Sequence, residues 1–194
     1  MDKEKGYLSE VSAMTLKYKL KLPPKNPLIF YGSSNFKNWH TLEQDFVEYN
    51  ALNHGFGGSN DRDLIVYADK LVLLLYPKTL VLNTSSNDVY AGFKDDEIFE
   101  NRKKLLDIFS AIENVVVLSV IRGEVSEELE KRFENIDKTV EKLCENYSNT
   151  SFLDVTTALD RTSSFVDNHH LNDIGRKMIE NIIKNELERI YNVI

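Results

Sequence analysis

Four short stretches hold the residue types of acyl transfer, and each stands where an apolar run breaks. Ser34 closes Leu28-Ile29-Phe30-Tyr31-Gly32-Ser33-Ser34, a hydroxyl just beyond a glycine. Gly57 and Gly58 lie in the glycine-rich His54-Gly55-Phe56-Gly57-Gly58-Ser59. Asn87 lies in Thr84-Ser85-Ser86-Asn87-Asp88, and Asp167-Asn168-His169-His170 adds an Asp/His pair. A serine hydroxyl is a poor nucleophile until a base takes its proton. Histidine does this near neutral pH, and a carboxylate on its other ring nitrogen fixes the tautomer and steadies the imidazolium. Backbone N–H groups or an asparagine amide then hold the oxyanion of the tetrahedral intermediate. Singly, each stretch reads as an ordinary turn, because Gly, Ser, Asn and Asp dominate turns. The His169-His170 pair has no second cluster to complete a metal site. Only the four together, in this order, point to chemistry.

These stretches need elements to position them, and the apolar pattern supplies alternating strands and helices. Strands are expected at 28–31, 50–53, 79–83, 115–121 and 151–155. Helices are expected at 8–20, 39–49, 61–76, 95–113, 126–147 and 172–191, with Ser126 and Asn172 as N-caps. Val115-Val116-Val117-Leu118 lacks alternation, as a strand buried on both faces should. Leu22-Pro23-Pro24-Lys25-Asn26-Pro27 is a stiff connector. Strands alternating with helices of this length imply a parallel sheet in a three-layer α/β/α sandwich, of flavodoxin-like order 2-1-3-4-5. In such sheets ligands sit beyond the carboxyl ends of the strands. All four stretches follow strands, so the topology gathers them at one edge. The expected organisation is a single domain over 1–194, with residues 1–26 forming an N-terminal helix and connector packed on it.

Composition narrows the setting. The chain has 194 residues, 42% hydrophobic and 28% charged, which is enough to bury a core without staples. Its single cysteine, Cys144, excludes an internal disulfide and reads as a buried structural thiol. A net charge of −7 disfavours a nucleic-acid partner. No stretch has the roughly 18 apolar residues of a membrane span. The charged start, Met1-Asp2-Lys3-Glu4-Lys5, has no apolar signal region behind it, so a cytoplasmic protein without membrane partner is expected. The apolar segment Leu64–Tyr76 is richer than a one-sided helix needs. It leaves open a homo-oligomer interface or a deeply buried helix.

The four blocks resemble those of the SGNH hydrolases, the GDSL-type esterases and lipases, over residues 28 to 175. Gly32-Ser33-Ser34 resembles the first block, with Ser33 in place of its usual aspartate. Asn53-His54-Gly55-Phe56-Gly57-Gly58-Ser59 resembles the second and Ser85-Ser86-Asn87-Asp88 the third. Asp167-Asn168-His169-His170-Leu171-Asn172 resembles the last, D-x-x-H-L-N. Gly-Ser-Ser-x-x-x-x-Trp and Asn-x-Gly-Phe-Gly-Gly-Ser are similar to the compact acylhydrolases related to platelet-activating factor acetylhydrolase subunits. The resemblance implies that Ser34 is the nucleophile, His170 the base and Asp167 its orienting carboxylate. It assigns the oxyanion to the N–H groups of Ser34 and Gly58 and the amide of Asn87. It implies no cofactor and no metal. The expected activity is hydrolysis of a short-chain ester of a small soluble alcohol or sugar through an acyl-enzyme. The alternatives are a thioesterase or acyltransferase with the same set, or a silent binding module. The third block usually begins with glycine, and Ser85 stands there; a side chain at that point implies a narrower pocket or a displaced loop. Tyr90, Phe93, Arg122 and Phe165 lie near the strand ends and read equally as pocket or packing residues.

Overall fold

A computed structural model describes residues 3–192, with side chains from Tyr7 onward. Met1 and Asp2, which open the charged N-terminal stretch, lie outside the described residues, as do Val193 and Ile194. The elements are α1 (Lys3–Leu20), β1 (Leu28–Gly32), α2 (Ser34–Lys37), α3 (Leu42–Asp45), β2 (Leu52–Gly55), α4 (Asp61–Leu71) and β3 (Thr79–Asn83). They continue with α5 (Ser86–Tyr90), α6 (Asp95–Ile108), β4 (Asn114–Leu118), α7 (Glu127–Cys144), β5 (Thr150–Leu153) and α8 (Asp173–Asn192). The strands form one parallel sheet in the order β2-β1-β3-β4-β5, the expected order.

Both faces of the sheet are buried, which is why its strands show no alternation. Ile29, Tyr31, Leu80, Leu82, Val115 and Val117 face a core built with α1, α4, α6 and α7. Leu28, Phe30, Val81, Val116 and Leu118 face a second core built with α2, α3 and α8. Two helices are capped as expected: the Ser126 hydroxyl accepts from Leu129 N (3.3 Å), and Asn172 Oδ1 from Gly175 N (3.1 Å). Cys144 is buried. No helix among the described residues is long and apolar enough to cross a membrane.

Several boundaries differ from expectation. The helix expected over 39–49 is one short helix, α3, followed by a 3-10 turn over 47–49. Apolar spacing at Trp39, Leu42 and Phe46 records only which residues face the core, and all three are buried here. The strand expected over 115–121 leaves the sheet after Leu118: Val120 N donates to Asp137 (2.8 Å) rather than to a neighbouring strand. The loop read after β3 contains the helical turn α5. The second strand begins later, at Leu52. The segment 61–76 splits at Leu71 into α4 and a 3-10 turn over 73–75; Leu71 and Val72 are buried, whereas Leu74 and Tyr76 are exposed. In α1, the inward residues are Tyr7, Val11, Met14 and Tyr18, while Leu8, Leu16 and Leu20 are exposed.

Candidate active site

The chain must turn sharply where β1 ends, and only glycine fits. A Cβ on Gly32 would lie 2.2 Å from the Asn83 carbonyl oxygen of β3. Ser34 follows as the first residue of α2 and is half-buried at the sheet edge. Its Oγ lies 3.1 Å from Nε2 of His170, which arrives from the loop before α8. His170 Nδ1 lies 2.8 Å and 3.1 Å from the two carboxylate oxygens of Asp167. A carboxylate only accepts, so Nδ1 carries the hydrogen and Nε2 is free to accept from the Ser34 hydroxyl. Asp167 Oδ1 also accepts from the backbone N–H groups of His169 and His170, each at 2.7 Å. Desolvation pulls the Asp167 pKa upward, but these hydrogen bonds prevail and bring it down to about 2. The D-x-x-H spacing works because residue three back can reach both the ring and the loop's own backbone.

His169, the neighbouring histidine, does not reach Ser34. It stacks edge-on against Tyr90 of α5 at 4.7 Å between ring centres. Asn35 has a role that the sequence reading missed. Its Nδ2 donates to the His169 carbonyl and its Oδ1 accepts from Leu171 N, both at 3.1 Å. Buried directly after Ser34, it clamps the histidine loop to the nucleophile's own turn. Its place beside the serine is the only signal in the sequence.

The two remaining stretches meet beside Ser34's turn. Gly58 adopts φ +76°, a conformation that glycine takes without strain. Ser59 Oγ lies 3.2 Å from the Gly32 carbonyl, tying this loop to the end of β1. Asn87, in α5, donates one amide hydrogen to the Ser59 carbonyl at 2.8 Å, which leaves the other available. The backbone N–H groups of Ser34 and Gly58 donate to no other group among the described residues. Ser85 adopts φ +83°, where glycine is favoured, yet its side chain neither fills the site nor displaces the loop's asparagine from Ser59. It is 2% exposed and turned inward, accepting from Arg102 Nη2 at 2.7 Å.

Of the other residues near the strand ends, Tyr90 stands against His169, and Phe165 pairs with Leu171 at the base of the histidine loop. Arg122 is buried in ion pairs with Glu130 and Asp137. Phe165 is buried in the core under α8, and Phe93 lies beneath Arg62.

The arrangement of sheet, helices and loops has close counterparts among solved structures. A candidate acylhydrolase from Bacteroides fragilis superposes with TM-score 0.82 at 16% identity, over 94% of this chain and 96% of that one. A GDSL-like lipase from Bacteroides thetaiotaomicron gives 0.76 at 19% identity, over 96% and 98%. The chain has the SGNH hydrolase fold. An acetylxylan esterase from Geobacillus stearothermophilus shares it, with TM-score 0.70 and 15% identity over 86% of this chain and 95% of that one. No protein-family model and no curated protein matches the sequence. The likeness to these structures lies in the backbone.

Proposed function

We propose that this protein is a serine esterase that removes a short acyl group from a small soluble alcohol or sugar. The observation that carries the reading is the unbroken hydrogen-bond chain Ser34–His170–Asp167 at an open sheet edge. Ser34 Oγ attacks the ester carbonyl while His170 Nε2 takes its proton. Asp167 stays ionised and steadies the imidazolium. The N–H groups of Ser34 and Gly58, with the free amide hydrogen of Asn87, hold the developing oxyanion. As the intermediate collapses, His170 returns the proton to the leaving alkoxide, and an acyl-enzyme remains on Ser34. Water, activated by the same histidine, then releases the acid.

The class of ester is inferred from what surrounds the triad. The Asp167 side chain is 51% exposed and that of His170 36%, so the reacting centre is shallow. The Geobacillus stearothermophilus protein with the same fold is an acetylxylan esterase. A shallow site suits a short acyl group carried on a hydrophilic alcohol. The test is intact mass after exposure to a fluorophosphonate, with peptide mapping. A single adduct on Ser34, absent in His170→Ala, is expected. No adduct on the folded wild-type protein would overturn the assignment.

A further inference from the structure

Behind the loops that carry Gly58 and Asn87 lies a buried polar cluster that the proposed mechanism does not use. Arg102 of α6 is 1% exposed, and Asp61, Thr84, Ser85 and Asp88 around it are at most 4% exposed. Arg102 Nε donates to Asp61 Oδ2 at 3.1 Å. Its Nη2 lies 2.7 Å from Ser85 Oγ, 2.8 Å from Thr84 Oγ1 and 3.3 Å from Asp61 Oδ1. The Thr84 hydroxyl donates to Asp61. Asp61 N, the first amide of α4, donates to the Asp88 carboxyl at 3.2 Å and 3.3 Å from its two oxygens.

Stability is a poor reason for such a cluster. Removing an ion pair from water costs about as much as the pairing returns, and apolar residues of similar volume often do as well. What the cluster achieves is a cross-link. Asp61 stands three residues after Gly58, and Asp88 directly follows Asn87. Thr84 and Ser85 form the turn that leads into α5. One guanidinium from a third element thus fixes both candidate oxyanion loops to each other. Ser85 takes part because its inward hydroxyl offers Arg102 an acceptor that the usual glycine would lack.

The charges add a condition. Among the described residues, Arg102 is the single cation facing two carboxyls, Asp61 from α4 and Asp88 from α5. Cys144 of α7 also faces Arg102, but burial pushes its thiol up to about 11, so it stays neutral. Neutrality in this dry space requires one proton on the carboxyl pair. Asp61 has the guanidinium, so the proton resides on Asp88. Burial pushes the Asp88 carboxyl up to about 8, the neighbouring Asp61 charge adds to the effect, and Arg102 only partly opposes it.

We propose that Arg102, Asp61, Ser85 and Asp88 are positioning residues that hold the Gly58 and Asn87 loops in register for the oxyanion, and that this register loosens when the carboxyl pair loses its shared proton. The inference rests on the acyl-transfer reading of Ser34. Its test is the rate at which a fluorophosphonate labels Ser34 at pH 7 and at pH 9, in wild type, Asp88→Asn and Asp88→Ala, with circular dichroism to check the fold. Asparagine mimics the protonated acid and cannot ionise. Asp88→Asn is therefore expected to label within about 2-fold of wild type at pH 7 and to keep that rate at pH 9, where wild type slows several-fold. Asp88→Ala, lacking the tie, is expected to be about 10-fold slower at both, a fraction of the roughly 10² that outright loss of an oxyanion donor costs. If Asp88→Ala does not fold, Asp88→Asn alone decides. Wild-type behaviour at both pH values in Asp88→Asn overturns the proposal, as does a wild-type rate in folded Asp88→Ala. Failure of wild type to label Ser34 at all would instead remove the acyl-transfer reading, and this inference with it.

Discussion

At the residue scale, the proposed mechanism gives the amide of Asn87 two tasks that a substitution separates poorly and kinetics separates well. One hydrogen is bound to the Ser59 carbonyl, and the other is free for the oxyanion. Asn87→Ala is expected to lower kcat on the order of 10²-fold with little change in KM, because the lost bond forms only in the transition state. A loss below about 3-fold would mean that the amide serves the loop alone. Asn35 acts at one remove, through the histidine loop. Asn35→Ala removes both of its clamps on residues 169 and 171, and kcat should fall about 10-fold while Ser34 stays intact, as small misplacement of a base costs rate. Unchanged kcat in that variant would refute the clamp. The partners Ser34, His170 and Asp167 were legible in the sequence through the resemblance, whose D-x-x-H pattern selects His170 over His169. Asn35 was not, because its partners lie 134 and 136 residues away and nothing in Gly-Ser-Ser-Asn points to them. Nor was the fate of Ser85 legible: its inward turn depends on Arg102, whose α6 helix reads in sequence only as amphipathic.

At the scale of elements, the docking of α1 depends on a histidine kept out of water. His54 of β2 is buried, with Nδ1 2.5 Å from the Leu71 carbonyl at the end of α4 and Nε2 2.7 Å from the Tyr18 hydroxyl of α1. The carbonyl only accepts, so Nδ1–H donates to it and Nε2 accepts from Tyr18. One neutral ring thereby joins a strand and two helices. Burial lowers the His54 pKa from 6.5 to about 4, although the Leu71 bond pulls the other way. A depressed histidine pKa contributes stability that is present above pH 6.5 and is lost as pH falls toward 4, in total about 3 kcal/mol at 1.36 kcal/mol per pH unit. Urea denaturation at pH 7 and pH 4.5 should show most of that loss in wild type. Tyr18→Phe should cost about 1–3 kcal/mol at pH 7 by leaving the buried Nε2 unpaired, and an unaltered midpoint would refute the tie. The sequence showed His54 only as part of a glycine-rich block. It showed α1 by its aliphatic residues, whereas the face that docks is carried by Tyr7, Val11, Met14 and Tyr18. Aromatic residues with polar tips bury readily at such seams, and a count of leucines passes over them.

At the scale of the whole molecule, strand order and the gathering of four blocks at one sheet edge followed from the alternation of strands and helices. Where each strand stops did not, because the limit is set by the neighbour's hydrogen bonds and not by the strand's own apolar residues. β4 shows this: Val120 and Ile121 continue the apolar run and remain buried, but the backbone has already turned to Asp137. The edge so formed leaves the reacting centre open. Ser34 is half-buried, the Asp167 side chain is half exposed, and the loop that bears Asp167 and His170 is pinned at Asn35, Gly123 and Ser163 rather than hinged. An enzyme whose site is already open gains nothing from an oil–water interface, and a shallow site gives a long acyl chain little apolar surface to cover. Hydrolysis rates measured across the solubility limit of a short-chain ester should therefore rise smoothly to saturation, with no step where droplets form, and an acetyl ester should be cleaved faster than a decanoyl one. A step at the solubility limit would show that some segment moves to uncover the triad. A preference for the decanoyl ester would show an apolar channel beside Ser34, and either result would replace the short-acyl reading with that of a lipase.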